Sequence, residues 1–138
     1  MSTNSNVAYK DVDGKYHVIY GHWDGGLWKG GVGDTLINYY NTLDKVKELL
    51  SIGDFSSLGD TIESTKFYSI DLHDYGPHTE KTIIGDDEIL DYINDIDYFY
   101  LFENDEWKVF ENADENSIAF DDNNNVIGYR LLKDIIAF

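Results

Sequence analysis

The chain has no cysteine, and this absence excludes the most. Without it there is no disulfide framework, no thiolate nucleophile and no cysteine-based metal site, and a reducing compartment is permitted. Proline occurs once, at Pro77, so there is no proline-rich linker. No apolar run approaches the roughly 20 residues of a membrane-spanning helix. The opening stretch, Met1 to Asn6, is polar and carries no hydrophobic signal core. Positive charge is also scarce. Ten Lys and Arg face 27 Asp and Glu, a net charge of −17. Direct nucleic-acid binding is disfavoured, because phosphates need a basic footprint. These features together predict a soluble intracellular protein with no membrane association.

Aromatic residues are plentiful by contrast. Eleven Tyr, seven Phe and three Trp among 138 residues supply a core without staples. The length predicts a single domain, 1–138. The stretch around which the chain is organised runs from His22 to Leu36. It holds five glycines, two tryptophans and a His-x-Asp pair, with a strand leading in and a helix leading out.

Read in order, Val7 to Lys10 and Tyr16 to His22 flank Asp11-Val12-Asp13-Gly14, a hairpin signal. Tyr16, Val18 and Tyr20 fall on one face of the second strand, His17 and Ile19 on the other. Asp34 or Gly33 is the expected cap of a helix whose apolar positions begin at Leu36, Tyr39 and Tyr40. Asn41-Thr42 is an expected break, with Thr42 capping a second helix and Gly53 stopping it. Asp54 to Asp60 reads as loop or a short turn of helix, Lys66 to Leu72 as strand and Asp87 to Ile93 as a short helix. Tyr98 to Phe102 with Trp107 to Phe110, and Ile118 to Phe120 with Val126 to Leu132, read as two more hairpins. The expected class is α+β, with a mainly antiparallel sheet built from hairpins and two or three helices packed on one side.

Several constellations invite chemistry. Lys29 to Thr35 resembles a Walker-type phosphate loop, but Asp34 stands where a lysine must meet the phosphates. A tight turn with Asp34 complementing the helix N-terminus is the expectation. His22 and Asp24 are two apart, as a base and its orienter would be in extended chain, which admits a small hydrolase. No recognisable nucleophile accompanies them. A structural role is the main expectation for His22, Trp23, Asp24, Gly31 and Gly33, with Trp23 buried and Gly31 or Gly33 at positive φ. Asp71, His73, Asp74, His78 and Glu80 are possible ligands, but their spacing matches no standard metal site. No metal, nucleotide or other cofactor is expected.

The run Tyr20-x-His22-Trp23-Asp24-Gly25, followed by Gly31-Val32-Gly33-x-Thr35-Leu36 and Tyr39-Tyr40, resembles a family of small phage and prophage proteins. The resemblance covers mainly residues 16–59. It departs at Gly26-Leu27-Trp28-Lys29, where the family carries a Tyr-Pro-type turn. It implies a viral origin and no established activity.

Acidity and phage likeness together predict an inhibitor. The expected partner is a host protein with a basic groove, a nucleic-acid-handling defence effector of the CRISPR kind, met in the cytoplasm of the infected bacterium. The acids expected to meet it are Asp86, Asp87, Asp95, Asp97, Glu103, Asp105 and Glu106. A small hydrolase or a structural phage module are the alternatives.

Overall fold

The computed structural model describes residues 3–68, 82–85, 89, 92–93, 96–111, 119–120, 126–127 and 130–135. Two long hairpins form its centre. Strands β1 (Ser5–Lys10) and β2 (Tyr16–Gly21) pair antiparallel, as do β6 (Tyr98–Glu103) and β7 (Glu106–Glu111). The hairpins lie side by side, β1 running parallel to β6 from Ser5↔Tyr98 to Tyr9↔Phe102. Short strands extend the sheet: β3 (Phe55–Ser57), β4 (Lys66–Phe67), β5 (Thr82–Ile84) and β10 (Arg130–Leu131). The order is β10-β7-β6-β1-β2-β3-β4, with β5 also against β2. Strands β8 (Ala119–Phe120) and β9 (Val126–Ile127) form a separate pair.

The α+β class is therefore correct and the mainly antiparallel sheet is not. Both β1–β6 and β2–β3 are parallel, so the sheet is mixed. The hairpin turns were visible in local sequence, but the way one hairpin lies against the other depends on residues some ninety positions apart. The reading of 54–60 as loop or a short turn of helix is also corrected, because Phe55 to Ser57 is strand β3. Within the expected strand at 126–132, β9 pairs with β8, as the hairpin reading has it, while β10 joins β7.

Alternation along the central strands gives the sheet two buried faces. Val7, Tyr9, Ile19, Tyr100, Phe102 and Trp107 belong to one cluster, with Leu36 and Ile37 of helix α1 (Val32–Tyr39) and Val46, Leu49 and Leu50 of helix α2 (Leu43–Ile52). Ala8, Tyr16, Val18, Phe99, Leu101 and Phe110 belong to the other, with Ile89 and Ile93. The expected face assignment on β2 holds. Helix α2 begins and ends where the sequence places it: Thr42 Oγ1 accepts from Lys45 N at 3.4 Å, and Gly53 follows at φ +118°. Helix α1 starts earlier than expected, with Gly31 as its cap. A four-residue helix α3 (Leu132–Ile135) follows β10.

Candidate functional site

The glycine-rich segment leaves β2 beside β3. His22 N donates to Phe55 O at 3.2 Å and Trp23 N to Ser56 O at 2.9 Å. Asp24 then turns the chain in left-handed geometry, φ +54°. Val32 N donates to the Asp24 carbonyl at 2.7 Å, which closes the loop at the start of α1. Tyr100 holds the interior of the loop: its hydroxyl donates to the carbonyls of Gly25 (2.6 Å) and Gly26 (3.1 Å). Burial drives the Tyr100 pKa far above the ordinary phenol value, so the hydroxyl stays a donor. Gly26 lies under the Trp28 ring, where a Cβ would stand 2.1 Å from ring carbon. Any side chain there would displace the Trp28 ring.

Two expectations about this loop are overturned. Trp23 is 45% exposed, and Trp28 is similarly open at 47%. Trp23 rests edge-on against the His22 ring instead of under the loop, with centroids 4.6 Å apart. Positive φ falls at Asp24 and Gly30, whereas Gly31 is extended (φ −74°) and Gly33 is helical. Gly33 is small for another reason, a close approach to the Tyr100 ring at 3.1 Å from its would-be Cβ.

His22 and Asp24 do not form a base and orienter. The left-handed turn at Asp24 removes the extended geometry that pairing at two residues requires. His22 Nδ1 instead meets the Tyr20 hydroxyl at 2.9 Å. Among the described residues no hydrogen bond or ion pair joins His22 to Asp24. Asp34 accepts from Gly30 N at 2.8 Å and from Asn38 Nδ2 at 2.8 Å, so it ties the turn to the first turn of α1. Asp71, His73, Asp74, His78 and Glu80 lie outside the described residues. Among the described residues no group of three or more His, Asp or Glu is placed to hold a metal ion.

Of the seven acids expected to face a partner, Asp86, Asp87 and Asp95 lie outside the described residues. Asp97 is exposed and accepts from Asn4 N at 3.1 Å. Glu103 is a correction. It is only 7% exposed, its Oε1 accepts from Lys108 Nζ at 2.6 Å, and Lys10 Nζ lies 3.7 Å from its other oxygen. Its position on the same face as Leu101 turns it into the sheet, and two lysines neutralise it there. Asp105 is exposed at the hairpin tip, where Asn104 (φ +55°) and Asp105 (φ +61°) make the two-residue turn. Glu106 is half-buried, 3.8 Å from Lys133 Nζ. Asp97 and Asp105 stand at opposite ends of β6, roughly 25 Å apart at the rise of a strand. The described acids therefore do not form one patch.

A cleft beside the second hairpin tip was not legible in the sequence. It holds about 500 Å³ and lies where the end of α1, the tip of β6–β7 and α3 meet. Ile37, Phe102 and Trp107 give it apolar walls, and Asp105, Glu106 and Lys133 give it charge. Trp107 is fixed there by donating its indole N–H to the Tyr40 carbonyl at 2.8 Å and by an edge-on contact with Phe102. The helical phase of Ile37 and the position of Trp107 just past a turn were legible separately. Their meeting was not, because it depends on how α1 lies over the sheet. No family model, curated protein or solved structure matches this chain.

Proposed function

We propose that this chain is a phage-type acidic protein that binds a host nucleic-acid-handling defence effector and holds it inactive by occupying its basic groove. The observation that carries this reading is the charge of residues 86–134, where fifteen acids face only three bases. A surface made only for solubility mixes signs. A groove built for duplex DNA meets about one negative charge per 1.7 Å of axis and so attracts another dense anion. Asp97 and Asp105, both exposed, are available for such a contact. The resemblance of residues 16–59 to phage proteins supplies the setting, the cytoplasm of an infected bacterium. Among the described residues no helix is long and apolar enough to cross a membrane.

The test is capture of host proteins by the immobilised chain, followed by titration of the captured effector with salt and with its own nucleic acid. Binding should fall steeply with salt and compete with the nucleic acid. Replacing Asp86, Asp87, Asp95, Asp97, Asp105 and Glu106 by Asn or Gln should abolish it, with Glu103 left intact because it belongs to the interior. Equal inhibition by the neutralised chain would refute the reading. Recovery of the chain in purified virions, with no bound effector, would point instead to a structural phage module.

A further inference from the structure

We infer that the cleft at the tip of the second hairpin is a socket for a single arginine or lysine side chain of a protein partner. The inference rests on the reading above, in which the partner is basic. It names where one contact would be made.

The cleft has the two parts that such a side chain needs. Ile37, Phe102 and Trp107 offer apolar and aromatic walls to the aliphatic stem. Asp105 and Glu106 bring carboxylates to the same space, where they can accept from the charged head group. At about 500 Å³ the space is within the usual range for a small ligand, about 300–1,000 Å³. A guanidinium also suits an aromatic wall in a way that a hydrated anion does not.

Lys133 makes the case specific. Its ammonium lies 3.8 Å from Glu106 Oε1, while both side chains remain about half exposed, 54% and 41%. Such a contact is loose and easily exchanged. The chain's own lysine thus occupies the cation position weakly, as an internal competitor that an incoming side chain displaces. The tip itself is firmly shaped. Asn104 and Asp105 are both left-handed, and Glu103, immediately before them, is locked to Lys108 inside the sheet. The socket is therefore present before any partner arrives.

The test is a titration of the full chain with N-acetyl-arginine methylamide, followed by the NMR signal of the Trp107 indole N–H. N-acetyl-norleucine methylamide serves as the uncharged probe of similar length. The arginine probe should move the Trp107 signal saturably and bind at least about fivefold tighter than the norleucine probe. Lys133→Met should tighten the arginine probe, because it removes the competitor. The pair Asp105→Asn and Glu106→Gln should weaken it to the level of norleucine without moving the melting temperature. Equal binding of both probes, an unmoved Trp107 signal, or weaker binding in Lys133→Met would each overturn the socket. A chain that seats the probe but captures no basic host protein refutes the function proposed above and leaves the socket standing. Capture of the host protein with Trp107 indifferent to the probe does the reverse.

Discussion

Hairpin β1–β2 turns on Asp11, and hairpin β6–β7 turns on Asn104 and Asp105. Asp11 is fully engaged. Its Oδ1 accepts from Asp13 N and Lys15 N, each at 2.9 Å, and its Oδ2 meets His17 Nε2 at 2.8 Å. Burial alone would raise its pKa. The two amides and the His17 ring outweigh that and hold it below the ordinary carboxylate value. His17 is itself stacked on Tyr9, with ring centroids 4.5 Å apart. At the second tip the backbone makes the turn by left-handed geometry, and among the described residues no hydrogen bond reaches the Asp105 carboxylate. The lesson is that acids in similar turns are not equally available to a partner. The first hairpin uses Asp11 as a structural acceptor and leaves Asp13 exposed, while the second leaves Asp105 in solvent and buries Glu103.

The largest effect expected of a single substitution at constant pH probes the buried member. Lys108→Met leaves Glu103 in the sheet with only Lys10 at 3.7 Å, and stability should fall by about 3 kcal/mol in urea unfolding. A loss below about 1 kcal/mol would mean that the second hairpin does not depend on its buried charges.

The next effect concerns the outer strand of the first hairpin. Asp54 Oδ1 accepts from Tyr20 N at 2.8 Å, and burial pushes the Asp54 pKa up to about 7 from an ordinary 3.8. Because the folded pKa lies above the unfolded one, the folded state keeps this proton while the unfolded chain releases it. Stability should therefore be highest at and below about pH 4, decline as pH rises to about 7, and then level. The loss by then is roughly 4 kcal/mol at 1.36 kcal/mol per unit. Asp54→Asn keeps the acceptor and should flatten this slope in thermal unfolding measured from pH 4 to 8. An unchanged slope would place its origin elsewhere.

Asp11→Ala should cost about 1–2 kcal/mol, through the loss of the acceptor for two turn amides. The smallest effect sharpens the contrast: Asp105→Asn should change stability by less than about 0.5 kcal/mol. Equal costs at the two tips, measured side by side by chemical denaturation, would erase the distinction between them.

Local chemistry was legible in the sequence, and distant pairing was not. Asp13-Gly14 marks the first turn, Thr42 and Gly53 bound α2, and the alternation of Tyr16, Val18 and Ile19 assigns their faces, because each signal lies within a few residues of what it determines. The parallel contact of β1 with β6 has no such signal, since the partners are far apart and both strands are apolar on both faces. Trp23 departs from the expected burial because aromatic content implies burial only on average. Here the left-handed turn falls on Asp24, and the buried ring beneath the loop is Tyr100 from another strand. Glu103 departs from the expected exposure for a related reason. An acid next to a turn is normally solvated, and only the β6–β7 register, which brings Lys108 within reach, turns this one inward.

The parallel joint between the hairpins also governs the order in which the chain can fold. Each hairpin closes over a few residues, and such elements form in about 1–10 μs. Joining β1 to β6 encloses about ninety residues, and the entropy of that closure must be met before most of the core contacts exist. During synthesis the first hairpin would wait with one edge of β1 unpaired until β6 emerges. At about 5–20 residues per second, that interval is several seconds or more. An exposed apolar strand edge is a pairing template for other chains. The risk of aggregation is thus concentrated in that interval, and a chaperone that covers β1 would act there.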